Sequence, residues 1–352
     1  MQKRRLGFAL TISTLAVAAV TFTFIGQAAG PSSGPYKVLR TIKVGGTGGY
    51  DYTNSDVASR RLYFARTGET PRIGVYNLDT LELVAEIKST NAHGAVIDPK
   101  SNHGFASSKP ILMFDSKTNM PIKTIEVMGN PDGMYYDPSD SRVYVLSHQI
   151  PYITVINGKD GTVVGTVDIG GMPEQAVGDG KGHLYVDVED KENVAVIDTK
   201  TLMVTAHYDV TGKAATCAGL ALDAKNRILF VTCRMPTTML IMSADTGKII
   251  TQLPIGANSD TALFNPKTME AFSSNVDGTL NVIKEKNPTT FEVEQTVTTM
   301  PGARTSTLDT KTGRILLIAA ESGPPTPPKE PGGRAGRGPL IPGSFSIIEV
   351  GK

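Results

Sequence analysis

Seven positions recur along the chain, each five residues ahead of an Asp or Asn that opens a turn: Asp51, His93, Asp132, Glu174, Ala218, Asp260 and Arg304. All but Ala218 are ionisable. Carboxylates beside an imidazole are a donor set for a cation. Oxygen-rich sets suit Ca²⁺, Mg²⁺ or Mn²⁺, and an added imidazole admits Zn²⁺ or Fe²⁺. Asp132, Glu174 and His93 are therefore the metal candidates, with Asp51 beside them. Arg304 follows Asp260 and, if the repeats close in a ring, precedes Asp51, so it can pair with either acid or with the anionic part of an organic ligand. Two readings without a metal stand next to this one. The same groups would hold an organic ligand with a cationic part, or they would line a water-filled channel as solvated polar groups.

A metal at such a place would polarise a carbonyl or activate water. That makes a metal-dependent hydrolase, lactonase-like by analogy, the alternative to simple binding. Nucleophile and phosphate motifs are missing: there is no G-x-S-x-G, no H-E-x-x-H and no P-loop. There is no C-x-x-C-H for covalent haem. Binding or scaffolding is thus expected ahead of catalysis. A divalent metal ion in the central channel is the one cofactor the pattern admits. His103, His148, His183 and His207 fall at strand ends or on an outer strand and are expected in surface or packing roles. Glu174 is expected to stand beside Asp132 with no cation next to it.

These positions need elements to hold them. VYNLDTLELVAEIK (75–88), VINGKDGTVVGTVDIGG (155–171), VIDTKTLMVTAHYDV (196–210) and MSADTGKIITQLPIG (242–256) share one plan: strand, polar turn, strand. Alternating side chains around turn residues are the hairpin signal. A second hairpin follows each, as in GMYYDPSDSRVYVLS (133–147) and GLALDAKNRILFVTC (219–233). Its turn opens at Asp56, Asp98, Asp137, Asp179, Asp223, Asn265 and Asp309, with spacings of 42, 39, 42, 44, 42 and 44. Four short strands per repeat of this length predict an all-β, seven-bladed β-propeller with four-stranded antiparallel blades. One propeller is expected over 37–350. The last repeat lacks a strand, and residues 38–44 supply one, so they are predicted to pair beside Phe345–Val350 and close the ring. The Pro- and Gly-rich stretch 323–343 cannot join a ladder and reads as an insertion loop, serving as a neutral surface loop, a partner-binding arm or a lid.

Residues 155–186, VINGKDGTVVGTVDIGGMPEQAVGDGKGHLYV, and 194–212, VAVIDTKTLMVTAHYDVTG, resemble the YVTN repeat. Over about residues 37–350 the chain resembles the YVTN, or YncE-like, β-propeller family. The resemblance implies a seven-bladed, usually exported propeller and leaves the activity open. The repeat's G-x-x-P proline is present at Pro131, Pro173 and Pro301 and absent near His93, at Thr216–Ala218 and at Asp260. The loops leading into the ring are therefore not uniform.

Lys3, Arg4 and Arg5, the apolar run Leu6–Ile25 and the small residues Gly26-Gln27-Ala28-Ala29 have the form of a signal peptide over 1–29. The run is also long enough to serve as an uncleaved anchor. No other stretch could span a membrane. A periplasmic or secreted address follows. Cleavage removes three cations and no anions, which leaves the mature chain slightly acidic and argues against nucleic acid as a partner. A nucleic acid or envelope polymer held by the basic loop is the third functional reading. The expected partner is a small molecule or an envelope component, and the chain is expected to be a monomer. Export also admits a disulfide. Cys217 and Cys233 flank one hairpin symmetrically and are predicted to face each other as a staple in the fifth blade.

Overall fold

The computed structural model describes residues 33–89, 91–327 and 338–352. The leader read at 1–29 and the middle of the insertion lie outside the described residues. The repeats build seven four-stranded antiparallel sheets. Blade 1 contains Gly49–Asp56, Arg61–Thr67, Arg72–Asn77 and Leu83–Lys88, from the innermost strand outward. The innermost strands of blades 2 to 6 are Ala95–Asp98, Asn130–Asp137, Pro173–Gly178, Ala215–Asp223 and Ser259–Asn265. Blade 7 consists of Thr305–Asp309, Arg314–Ala319, Ser346–Gly351 and, outermost, Lys37–Lys43. Each innermost strand packs beside the next, and that of blade 7 packs beside that of blade 1, so the seven enclose a central channel.

Local chemistry explains the regularity. The carboxylate or amide oxygen of each turn opener accepts a hydrogen bond from a backbone amide two or three residues on, at 2.7–3.1 Å. This is the Asx turn, which fixes where the innermost strand ends and the second begins. All seven such turns lie at one end of the channel. The loops leading into the innermost strands lie at the other end, the mouth. Apolar side chains alternate on both faces of each blade and meet those of its neighbour. Between blades 3 and 4, for example, Tyr144, Leu146 and Ile153 pack on Leu184, Val186 and Ala195.

The ring closes through residues far apart in sequence. Lys37–Lys43 pairs antiparallel with Ser346–Gly351, with Thr41 opposite Ile348. Just ahead of it, Tyr36 is buried at the junction of blades 6 and 7. Its amide donates to Gln295 Oε1 at 3.0 Å, and Gln295 Nε2 donates back to its carbonyl at 2.7 Å. Its hydroxyl donates to Glu270 Oε2 at 2.5 Å, and Lys352 Nζ lies 2.9 Å from the other oxygen of Glu270. The buried Glu349 carboxylate binds Arg40 of the closing strand and Arg314 of its own blade.

The insertion leaves blade 7 on the mouth side. Its base is a short ladder in which Ser322 bridges Leu340 and the Ile341 amide donates to Glu321. Cys217 and Cys233 stand opposite each other in neighbouring strands and are joined by a disulfide at the mouth side of blade 5. Among the described residues no helix is long and apolar enough to cross a membrane.

Two outcomes follow from this closure. Tyr36→Ala removes a buried aromatic and the hydroxyl donor of Glu270 Oε2, and is expected to lower the unfolding free energy by about 3–5 kcal/mol in urea titrations. Lys37→Ala, one residue away and exposed, should change it by less than about 0.5 kcal/mol. Non-reducing peptide mapping should recover one peptide pair carrying Cys217 and Cys233, and free thiols there would contradict the structure.

Candidate functional site

The six ionisable ring positions converge on the mouth, and the backbone explains how. In blades 1, 3, 4, 5 and 6 the register between the innermost and second strands shifts at Asp51, Asp132, Glu174, Ala218 and Asp260. A bulge inserts an extra residue and re-aims its side chain. In blades 2 and 7 the position falls just before the strand, at His93 and Arg304. Gly133, next to Asp132, shows how tight the convergence is. A Cβ there would meet the Glu174 carbonyl at 2.8 Å, so only glycine lets blades 3 and 4 approach this closely.

The ring separates into two halves. In the first, His93 Nδ1 lies 2.7 Å from Asp51 Oδ2 and 3.3 Å from Asp132 Oδ1. In the second, Arg304 Nε lies 2.8 Å from Asp260 Oδ2, as the ring order predicts. Three charged groups were not anticipated in the ring. His148, Glu189 and Arg234 reach the same mouth from the ends of the second strands of blades 3, 4 and 5. They stand eleven, ten and eleven residues past their turn openers, so the alignment that found the first ring would have found this one too.

Three expectations change as a result. His148 is not a surface or packing residue: its Nδ1 lies 3.6 Å from Glu174 Oε2 and 3.9 Å from Asp132 Oδ2. Glu174 does have cations beside it, since Arg234 also approaches to 4.0 Å. The proposed trio Asp132, Glu174 and His93 is not one donor set. The structure divides it into Asp51–His93–Asp132 and Asp132–His148–Glu174, which share Asp132. The physical reason is the bulge geometry, which spreads successive ring positions around the channel and leaves Asp132 between the two imidazoles. On the other side, Arg234 binds Glu189 at 2.7 Å and Asp260 at 2.6 Å, so the guanidinium half is internally paired.

Burial and crowding set the charge states. Burial, with Asp51 and Glu174 close by, pushes the Asp132 carboxyl up to about 7. The Glu174 carboxylate, 3.6 Å away, raises His148 to about 9, and the hydrogen bond to Asp51 raises His93. Beneath Glu174, Asp187 is fully buried and neither of its oxygens has a hydrogen-bond partner among the described residues. Burial pushes its carboxyl far up, so it sits there as the neutral acid.

A floor closes the mouth. Tyr52 follows Asp51 and reaches across the channel, its hydroxyl 3.4 Å from Glu174 Oε1. Gln175 follows Glu174, donates to the Asp260 carbonyl at 3.2 Å and accepts from the Leu220 amide at 2.9 Å. Under these two side chains lies a cavity of about 310 Å³ lined mainly by small and apolar groups. The mouth is therefore a shallow charged bowl facing solvent.

No family model matches the chain, and no curated protein matches it. A chain from a solved structure titled "Crystal Structure of Mitotic Checkpoint Complex" matches with a TM-score of 0.69 at 11% identity, over 90% of this chain and 96% of that one. That likeness shows the propeller fold alone.

The mouth should leave a signature in stability. Asp132, His93 and His148 all bind protons more tightly folded than unfolded, so their contribution is full at low pH and lost as pH rises through the raised values. For Asp132 the window runs from the ordinary carboxylate range to about 7. Asp132→Asn cannot titrate, so the difference in unfolding free energy between wild type and variant should move against wild type from pH 4 to pH 8, by up to about 4 kcal/mol. Urea titrations of both proteins across that range measure it, and a flat difference would show that Asp132 is not held neutral.

Proposed function

We propose that the chain is an exported binding protein of the YVTN, or YncE-like, family, and that its ligand site is the acidic half of the mouth, completed by a divalent cation. The quoted repeats and the leader-like amino terminus support the family and the export. The Cys217–Cys233 bridge agrees with an oxidising compartment. The observation that carries the site is Asp132. It lies between two imidazoles, each of which has a second carboxylate, Asp51 or Glu174. Asp132 Oδ1 has His93 Nδ1, already bound to Asp51, at 3.3 Å, and His148 Nδ1 comes no closer than 3.6 Å to a carboxylate oxygen, so neither buried atom makes a well-formed hydrogen bond among the described residues. Unsatisfied donors and acceptors at the same point are costly unless something else binds them.

The donor set fits a cation that accepts both oxygen and imidazole nitrogen, such as Mn²⁺ or Zn²⁺. Asp132 with His148 and Glu174, or with His93 and Asp51, would hold it. The ion would supply positive charge for a carbonyl or carboxylate of a small molecule or envelope component. The chain's own contribution is the bowl: carboxylates fixed by bulges, a floor of Tyr52 and Gln175, and a paired guanidinium wall. Nucleic acid and other polyanions fit an acidic mouth poorly.

A second reading is a metal-dependent hydrolase of the lactonase type. It is favoured by Asp132, whose proton affinity near neutrality is that of a general base beside a candidate metal. Loss of lactone hydrolysis in Asp132→Asn, with metal retained through the other ligands, would select it.

Protein purified without a polyhistidine tag should carry a divalent metal by elemental analysis. Mn²⁺ or Zn²⁺ at a hundred times its dissociation constant should add about 2.7 kcal/mol to stability. The gain should disappear in Asp132→Ala and fall as pH drops below 6, because the ion must displace protons. No co-purifying metal and no thermal shift with any divalent ion would remove the cation from this reading.

A further inference from the structure

Below the floor the channel changes character. The cavity under Tyr52 and Gln175 continues into a larger space of about 730 Å³ that opens between the Asx turns. Val96, Met134, Leu263 and Phe264 line both spaces. The opening itself is bounded by Val57, Pro99, Tyr136, Pro138, Leu308 and Thr310. The result is a shaft narrowed at the mouth side by Tyr52 and Gln175 and open on the turn face, with these apolar side chains along one part of its wall and Asn54 and Thr307 beside them.

That face carries a repeated positive charge. Lys100, Lys181, Lys225, Lys267 and Lys311 each stand two residues past a turn opener, and all are exposed. Two of these lysines are held against the rim. Lys100 Nζ donates to the Pro138 carbonyl at 2.6 Å and to Ser141 Oγ at 3.0 Å. Lys267 Nζ donates to the Thr310 carbonyl at 2.5 Å. Pro138 and Thr310 are themselves rim residues, and Lys311 follows Thr310. Of the acids at the rim, Asp56 lines the opening itself, and the others are engaged within their turns. Asp98 accepts from the Lys100 amide and the Tyr136 hydroxyl, and Asp309 from Arg60, Thr312 and the Lys311 amide. Asp56 and Asp137 are buried in their turns. The exposed charge around the opening is therefore cationic.

We propose that this shaft binds an anionic amphiphile, with its alkyl chain among Val96, Met134, Leu263 and Phe264 and its anionic head on Lys100, Lys267 and Lys311. An apolar shaft alone would take any hydrophobe, and surface lysines alone would take any anion. Their coincidence at one opening selects a molecule with both parts. The site is separate from the charged mouth, and Tyr52 and Gln175 lie between them.

Isothermal titration of the wild-type protein with alkyl phosphates of increasing chain length, below their critical micelle concentrations, tests this without any variant. Affinity should rise about fourfold per methylene until the shaft is full. Inorganic phosphate should neither bind measurably nor compete. The double variant Lys100→Glu, Lys311→Glu changes exposed residues only, and should weaken decyl phosphate at least tenfold while leaving decanol unchanged. Affinity independent of chain length, competition by inorganic phosphate, or an unchanged double variant would each overturn the proposal. Co-sedimentation with phosphatidylglycerol vesicles then identifies the source. Vesicle binding blocked by decyl phosphate assigns a bilayer lipid, and its absence beside tight alkyl phosphate binding assigns a free amphiphile.

Discussion

A blade is a sheet with two apolar faces, and neither can be covered by anything but another blade. Every other feature of the molecule rests on that constraint. Six blades leave two open faces, and an unclosed seventh leaves a free edge. The chain meets the requirement with one exposed-looking strand, Lys37–Lys43, locked by a buried neighbour. Tyr36 ties the strand to Gln295 and Glu270 of blade 6, while Arg40 ties it to Glu349 of blade 7. The charged ring exists only because this junction holds, since Arg304 and Asp51 become neighbours across it.

Closure also concentrates charge. Innermost strands that converge on an axis bring their first residues together, whatever those residues are. Here they include four carboxylates with an imidazole and a guanidinium, and the second strands add His148, Glu189 and Arg234. The guanidinium half neutralises itself. The imidazole half does so only by holding protons, which is why Asp132 and both histidines titrate upward. Such a half-satisfied network is costly to the fold; on the turn face each opener has at least one oxygen bound by its own turn. The contrast between the two ends of one channel separates scaffold from site.

The fold was legible because it is written locally and repeated. Each Asx turn needs only its own four residues, and the spacing of the openers counts the blades. The closing strand was legible because the last repeat is one strand short. The candidate site was only partly legible. Asp51, His93, Asp132, Glu174, Asp260 and Arg304 were found from register with the turns. His148 reads as a surface or packing residue and Arg234 draws no reading at all when only the first strands are followed, although a second strand ends beside the channel as surely as a first begins there. The division of the acidic set around Asp132 depends on bulge geometry, which shifts side chains by ångströms and has no sequence period. Asp187 illustrates the same limit: in sequence it is one more polar residue in a strand, and only packing shows that it is sealed.

The position of the closing strand bears on how the molecule is made. Its outermost strand in blade 7 is the first of the described strands to be synthesised, and the strand it pairs with is the last. Blades 1 to 6 can form in order as they are made, each stacking on the one before. Tyr36 must wait for Glu270 and Gln295 of blade 6, and Lys37–Lys43 stays unpaired until Ser346–Gly351 arrives. For most of its synthesis the protein is an open arc with both ends exposed. Becoming a propeller is therefore a single late event that joins the first described strand to the last, and a chain lacking Ser346–Gly351 has no means of completing it.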